Sequence, residues 1–349
     1  MICFGVKSIN RIMSFIVYSS SRLAAIGLLV TVLMQPLWCI AEEGKAPAPK
    51  DTSPLDVLDK PHKLLSDQIV SLSTKMDSFF GDRRVFAESR KSFIRVYGDL
   101  AYAESRASDF SIKVQAKLVL PALEKRLKLL IESDDPTLNS SAETSTVTTP
   151  SGVPNVDVPK DFRAGLELLL TDSPHWYINT DAGIRIHSFL PDLFVRLRAR
   201  REQDVNDWQF RLTQSVFWFE QTGAGALVQF DADRKLGANY LGRSRTIAAW
   251  SDHDQQYNFE QSFFLFQGID ENNAMSYEAG VFGASQPNSH VTAYAVGVKW
   301  RRRLHRQWLF GEVQPLLTWP EDQSFRPTTS ILFRLEAVFG DVGCNCYGL

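Results

Sequence analysis

Along most of this chain, hydrophobic positions recur every second residue. From Ile331 to Phe339, the residues Ile331, Phe333, Leu335, Ala337 and Phe339 share one face of an extended strand, and Arg334 and Glu336 share the other. The same alternation runs from about residue 91 to residue 340. Ile94, Val96, Leu100 and Tyr102 alternate with Arg95, Tyr97 and Asp99. Leu193, Val195, Leu197 and Ala199 alternate with Arg196, Arg198 and Arg200. Tyr294, Val296, Val298 and Trp300 alternate with Lys299 and Arg301. Ser111 to Leu120 could also be read as a helix carrying Lys113 and Lys117, but strict alternation favours a strand. Turn-forming clusters separate the runs, among them Pro191-Asp192, Asp204 to Asp207, Ser251 to Asp254 and Gln286 to Ser289.

The pattern predicts about fourteen antiparallel strands, or about 12 if a pair has been merged. Alternation alone fits a soluble sandwich as well as a membrane barrel. Three features favour the barrel. Long cations sit between bulky apolar neighbours, as in Leu193 to Arg201. The runs reach about ten residues, the length of a tilted membrane strand. An export signal precedes them. The predicted fold is therefore all-β, a closed antiparallel transmembrane β-barrel preceded by a short helix. Aromatic residues near strand ends, namely Trp176, Tyr177, Trp208, Tyr240, Trp250, Tyr257, Trp308 and Trp319, suit girdles at the two membrane interfaces.

The chain divides accordingly. Residues 1–41 read as an export signal: Lys7, Arg11 and Arg22 precede the apolar run Leu23 to Trp38, and Cys39-Ile40-Ala41 offers a cleavage site. An uncleaved anchor is the competing reading, disfavoured by the Gln35-Pro36 break. Residues 42–57 form a Pro- and Ala-rich lead-in. Residues 58–82 predict an amphipathic periplasmic helix closed by Gly81-Asp82. Its stripe of Leu65, Ile69, Leu72, Met76 and Phe79 would serve self-association or a plug, or more simply packing beneath the barrel mouth. Residues 134–160 lack periodicity and predict a long exposed loop, and residues 341–349 form a tail.

The chain resembles a poorly characterised group of outer-membrane barrel proteins of Gram-negative bacteria. The resemblance rests on Pro191 to Arg198, Leu212 to Trp218, Arg301-Arg302-Arg303 with Gln307-Trp308-Leu309, and Arg334 to Gly340. It implies an architecture and a place in the outer membrane, not an activity. The last strand is similar to the assembly signal of such barrels, which implies recognition of Phe339 by the barrel-assembly machinery.

Composition narrows the function. The 349 residues carry 38 Lys and Arg against 40 Asp and Glu, without the basic bias of a nucleic-acid protein. Cleavage would leave Cys344 and Cys346 as a lone pair on the tail, with too few neighbouring ligands for a metal. No cofactor motif is present. Parity places Lys113, Lys117, Arg126, Lys128, Arg196, Arg198, Arg200, Arg211, Lys299, Arg301 and Arg334 in the lumen with Glu260, Glu278, Glu312 and Glu336. Two readings follow with equal weight. One is a passive channel whose excess of cations favours anions. The other is a filled barrel in which Arg and Glu of adjacent strands pair. Catalysis is not expected. The alternative would be a rim hydrolase built on Asp252-His253-Asp254 and Asn288-Ser289-His290, and a third possibility is an envelope scaffold acting through the helix.

Overall fold

The computed structural model describes residues 72, 74–81, 88, 91–104, 106–120, 126–133, 162–173, 175–187, 190–305 and 308–340. The export signal, the lead-in, Leu65, Ile69, the 134–160 loop, Cys344 and Cys346 lie outside them.

Fourteen strands form one closed barrel. They are β1 (Phe93–Ala103), β2 (Arg106–Leu120), β3 (Leu127–Ser133), β4 (Phe162–Asp172), β5 (Trp176–His187), β6 (Leu190–Val205) and β7 (Trp208–Phe219), followed by β8 (Gly223–Lys235), β9 (Tyr240–Ser251), β10 (Gln256–Asp270), β11 (Asn273–Ala284), β12 (His290–His305), β13 (Leu309–Pro320) and β14 (Thr328–Gly340). Each pairs antiparallel with its neighbours in sequence. β1 closes the ring on β14, from Phe93 opposite Gly340 to Ala103 opposite Ser330. Closure satisfies the backbone groups that an open sheet would leave unpaired in hydrocarbon.

The parity read from the sequence is the parity of the wall. Leu193, Val195, Leu197, Phe333, Leu335 and Phe339 point outward and are exposed, while Arg196, Arg198, Arg200 and Glu336 point inward and are buried. An exposed apolar exterior around a polar interior is stable only with hydrocarbon outside. Near the strand ends Trp176, Trp208, Tyr240, Tyr257 and Trp308 are exposed as a girdle requires. Tyr177 corrects that expectation. It is one residue out of phase with Trp176, so it faces inward and is buried between Lys128 and Arg200.

One end of the barrel holds the start of β1 and the end of β14, with short connections such as 206–207 and 271–272. The connection between Ser133 and Phe162 leaves from the other end. The helix, residues 74–80, corrects a second expectation. It lies inside the terminal mouth, not beneath it. Met76, Phe79 and Phe80 pack against Leu241, Phe264, Phe266, Ala274 and Phe310, which are inward-facing wall residues, with Leu72 against the same cluster. Met76 is 1% exposed in this packing. Gly81 ends the helix as the sequence indicates. Its φ of 65° is left-handed, and its N–H donates to Ser78 O at 3.2 Å.

Candidate functional site: an ion-paired barrel interior

Inward positions on adjacent strands come into register, and opposite charges meet there. On β12, β13, β14 and β1 one network is continuous. Arg95 donates through Nε and Nη2 to Glu336 at 2.8 and 3.1 Å. Arg301 Nη1 donates to Glu336 at 2.8 Å and to Glu312 at 3.2 Å. Lys299 lies 3.6 Å from Glu278 and 4.0 Å from Glu312. Arg334 forms a two-point pair with Asp99 at 2.6 and 2.9 Å. The forks of Arg95 and Arg334 each match the two oxygens of one carboxylate, a geometry that Lys cannot offer.

The same arrangement recurs around the ring. Glu167 holds both Lys117, at 2.9 Å, and Lys128, at 3.1 Å, and Tyr177 donates to the same carboxylate. Asp181 lies 3.1 Å from Arg196 and 3.7 Å from Arg163, which also pairs with Glu132. Asp231 holds Arg245 at 2.8 Å, and Asp233 takes two bonds of 2.6 Å from Arg243. Glu260 accepts from Ser262 at 2.6 Å, and Gln314 donates to Glu278 at 3.4 Å. Guanidiniums also lie over inward rings. Arg301 is 4.5 Å from the Phe310 centroid and Arg243 is 5.1 Å from that of Phe266.

The segment before β1 supplies further anions. Asp77 on the helix lies 2.8 Å from Arg243, whose side chain is fully buried. Glu88 lies 2.9 Å from Arg200 and pairs with Arg211. Glu202 completes this group at 2.7 Å from Arg200 and 3.0 Å from Arg211. Gly81 fits against the other network. A Cβ on it would come within 2.8 Å of Arg95 Nη2.

Of the residues that parity assigned to the lumen, Lys117, Lys128, Arg196, Arg198, Arg200, Arg211, Glu260, Glu278, Lys299, Arg301, Glu312 and Glu336 are inward and buried. Lys113 and Arg334 are inward and half-buried around Asp99. Arg126 is a correction. It precedes the first residue of β3 and is exposed, because the strand begins one residue too late to carry it into the interior. Sequence reasoning missed Asp192, read as part of a turn. It is the third residue of β6, buried, and pairs with Arg185. It also missed Asp233, Glu202, Asp77 and Glu88. For Asp233 and Glu202 the signal was present, since both have the inward parity of their strands. Glu88 and Asp77 carry no periodic signal.

The two loop clusters weighed for catalysis sit at the far end of the barrel. His290 Nε2 lies 3.0 Å from Glu321, and its Nδ1 lies 2.6 Å from Asn288 O. Asp252 accepts from Gln255 at 2.9 Å. The contact of His290 is thus with Glu321 rather than with Asp252 or Asp254. Among the described residues no cluster has the composition of a metal site.

A closed fourteen-strand antiparallel wall, apolar outside and ion-paired inside, defines a transmembrane β-barrel. Solved structures with a similar fold are outer-membrane proteins. A loop-deletion form of OmpT of Vibrio cholerae is 8% identical, with a TM-score of 0.41 over 71% of this chain and 98% of that one. The channel DcaP of Acinetobacter baumannii is 8% identical, with a TM-score of 0.41 over 71% of this chain and 96% of that one. The KdgM porin, solved with disordered oligogalacturonate, is 8% identical, with a TM-score of 0.33 over 52% of this chain and 93% of that one. No family model matches the chain, and no curated protein matches it.

Proposed function

We propose that this is an outer-membrane barrel shut by its own N-terminal segment, a filled barrel in its resting state with a cation-rich channel beneath the filling. The observation that carries the reading is burial. In an open channel of this strand number, lumenal Arg and Glu side chains would face water. Here Glu336 and Arg301 are 0% and 1% exposed, and helix residues Met76, Phe79 and Phe80 occupy the terminal mouth. The wall is surrounded by outer-membrane lipid, and Phe339 is the residue offered to the assembly machinery. We also infer that the chain belongs with the poorly characterised Gram-negative barrel proteins that its strand motifs resemble.

The test is planar-bilayer recording. The full chain is expected to show no steady conductance, and a variant lacking residues 58–88 is expected to conduct with a preference for anions. Steady conductance by the full chain would sink the closed reading.

A further inference from the structure

One contact between the segment and the wall has the chemistry of a receptor and its ligand. Tyr177 on β5, Arg200 on β6 and Thr213 on β7 are in register, as are Asn179, Arg198 and Ser215 in the adjacent inward row. Arg200 and Arg211 face two carboxylates. Glu202 belongs to the wall, and Glu88 comes from the segment. Without Glu88, Glu202 is the one acid paired with both guanidiniums among the described residues. Such a deficit favours an incoming anion in a site of low dielectric. Two forks that already hold a carboxylate are organised for a carboxylate.

Further observations show that the site is not saturated. Among the described residues, the Nε atoms of Arg200 and Arg211 are buried without a hydrogen-bond partner, and both residues are more than nine-tenths buried. In the neighbouring row Asn179 Oδ1 and Ser215 Oγ are likewise buried and, among the described residues, unpartnered. Buried polar atoms of this kind are normally satisfied. The guanidinium Nε donors, with an amide oxygen and a hydroxyl one row away, suit a solute bearing both a carboxylate and hydroxyl or amine groups. The Tyr177 ring, 5.7 Å from Arg200 Cζ and 5.8 Å from Lys128 Nζ, holds these cations in place.

We propose that Arg200 and Arg211 form a binding site for a carboxylate-bearing solute inside the barrel, and that Glu88 occupies it as an internal pseudo-ligand. Solute binding and retention of the segment are then competitive. The inference rests on the closed-barrel reading only in requiring that the segment occupy the lumen.

The test uses glutarate, whose carboxylate and methylene chain resemble the side chain of glutamate, with the full-length protein folded in detergent. Binding is measured by titration calorimetry at constant ionic strength. Glu88→Gln is expected to raise glutarate affinity about tenfold, because a charged competitor is removed. Glu88→Asp, which keeps the charge but withdraws it by one methylene, should give a smaller gain and serves if the Gln variant fails to fold. Adding Arg211→Gln to Glu88→Gln should abolish the gain. No gain in a variant that retains the heat-modifiable migration of a folded barrel would overturn the site. So would an equal gain for chloride or inorganic phosphate, which would reduce the effect to bulk lumen charge. Bilayer recordings on the same preparations report separately on closure. Steady conductance with the glutarate gain intact would sink the closed reading and support the site. A closed, folded barrel without the gain would sink the site alone.

Discussion

Glu336 shows what a single buried charge does in this interior. It accepts from Arg95 and from Arg301, and all three side chains are withdrawn from solvent. Glu336→Gln would leave two guanidiniums in low dielectric with their main counter-charge gone. Removing one partner from a buried ion pair costs about 3–5 kcal/mol, far more than the pair contributes over an apolar substitute. The expected outcome is a large fall in the denaturant midpoint of the folded barrel in detergent. Lys113→Gln is the contrast. Its amino group lies 4.0 Å from Asp99 and its side chain is partly solvated, so the loss should be about 1 kcal/mol or less in the same titration.

At the scale of the element, each strand separates hydrocarbon from an ionic interior by alternation alone. A cation placed on the outer face should cost in proportion to depth. Leu197→Arg, in the middle of β6, is expected to lose about 2–4 kcal/mol, whereas Trp176→Arg, at the first residue of β5, should lose about 1 kcal/mol or less. Urea titration of folding into lipid vesicles measures both. Equal costs would mean that the outer face does not lie in a hydrocarbon slab. Polar groups on this face are hydrogen-bonded, in one case to one another. Thr246 donates to Gln261 Oε1 at 2.6 Å, and Gln261 donates to Ser244 at 3.0 Å, all from outward positions on β9 and β10. The helix is an element of another kind. Its described residues are ordered by the packing of Met76, Phe79 and Phe80 against the wall, the usual source of helical stability in proteins.

At the scale of the whole molecule, the segment is the counter-ion of the barrel as well as its stopper. Asp77 and Glu88 meet arginines on β9, β6 and β7, so removing the segment uncovers positive charge. In a variant lacking residues 58–88, the triple replacement Arg196→Glu, Arg198→Glu, Arg200→Glu is expected to turn anion preference into cation preference. The sign of the reversal potential across a salt gradient reads this directly. An unchanged sign in a conducting protein would remove β6 from the permeation path.

The period of two, read residue by residue, was sufficient for the wall. It separates inside from outside because successive side chains of a strand must point to opposite faces. That reasoning placed Arg196, Arg301 and Glu336 correctly. It failed where phase or strand limits mattered: Tyr177 beside Trp176, Arg126 just before β3, and Asp192 within a turn signal. The docking surface for the helix was visible only as apolar residues at inward parity, Leu241, Phe264 and Phe266 on the β9–β10 hairpin and Phe310 on β13. Phe310 joins the hairpin residues only when the curved wall brings the same end of each strand to one mouth. Which carboxylate meets which guanidinium was likewise decided by register and by the placing of Asp77 and Glu88 in the lumen. Periodicity is a property of neighbours along the chain, whereas the ion pairs join residues as far apart as Arg95 and Glu336.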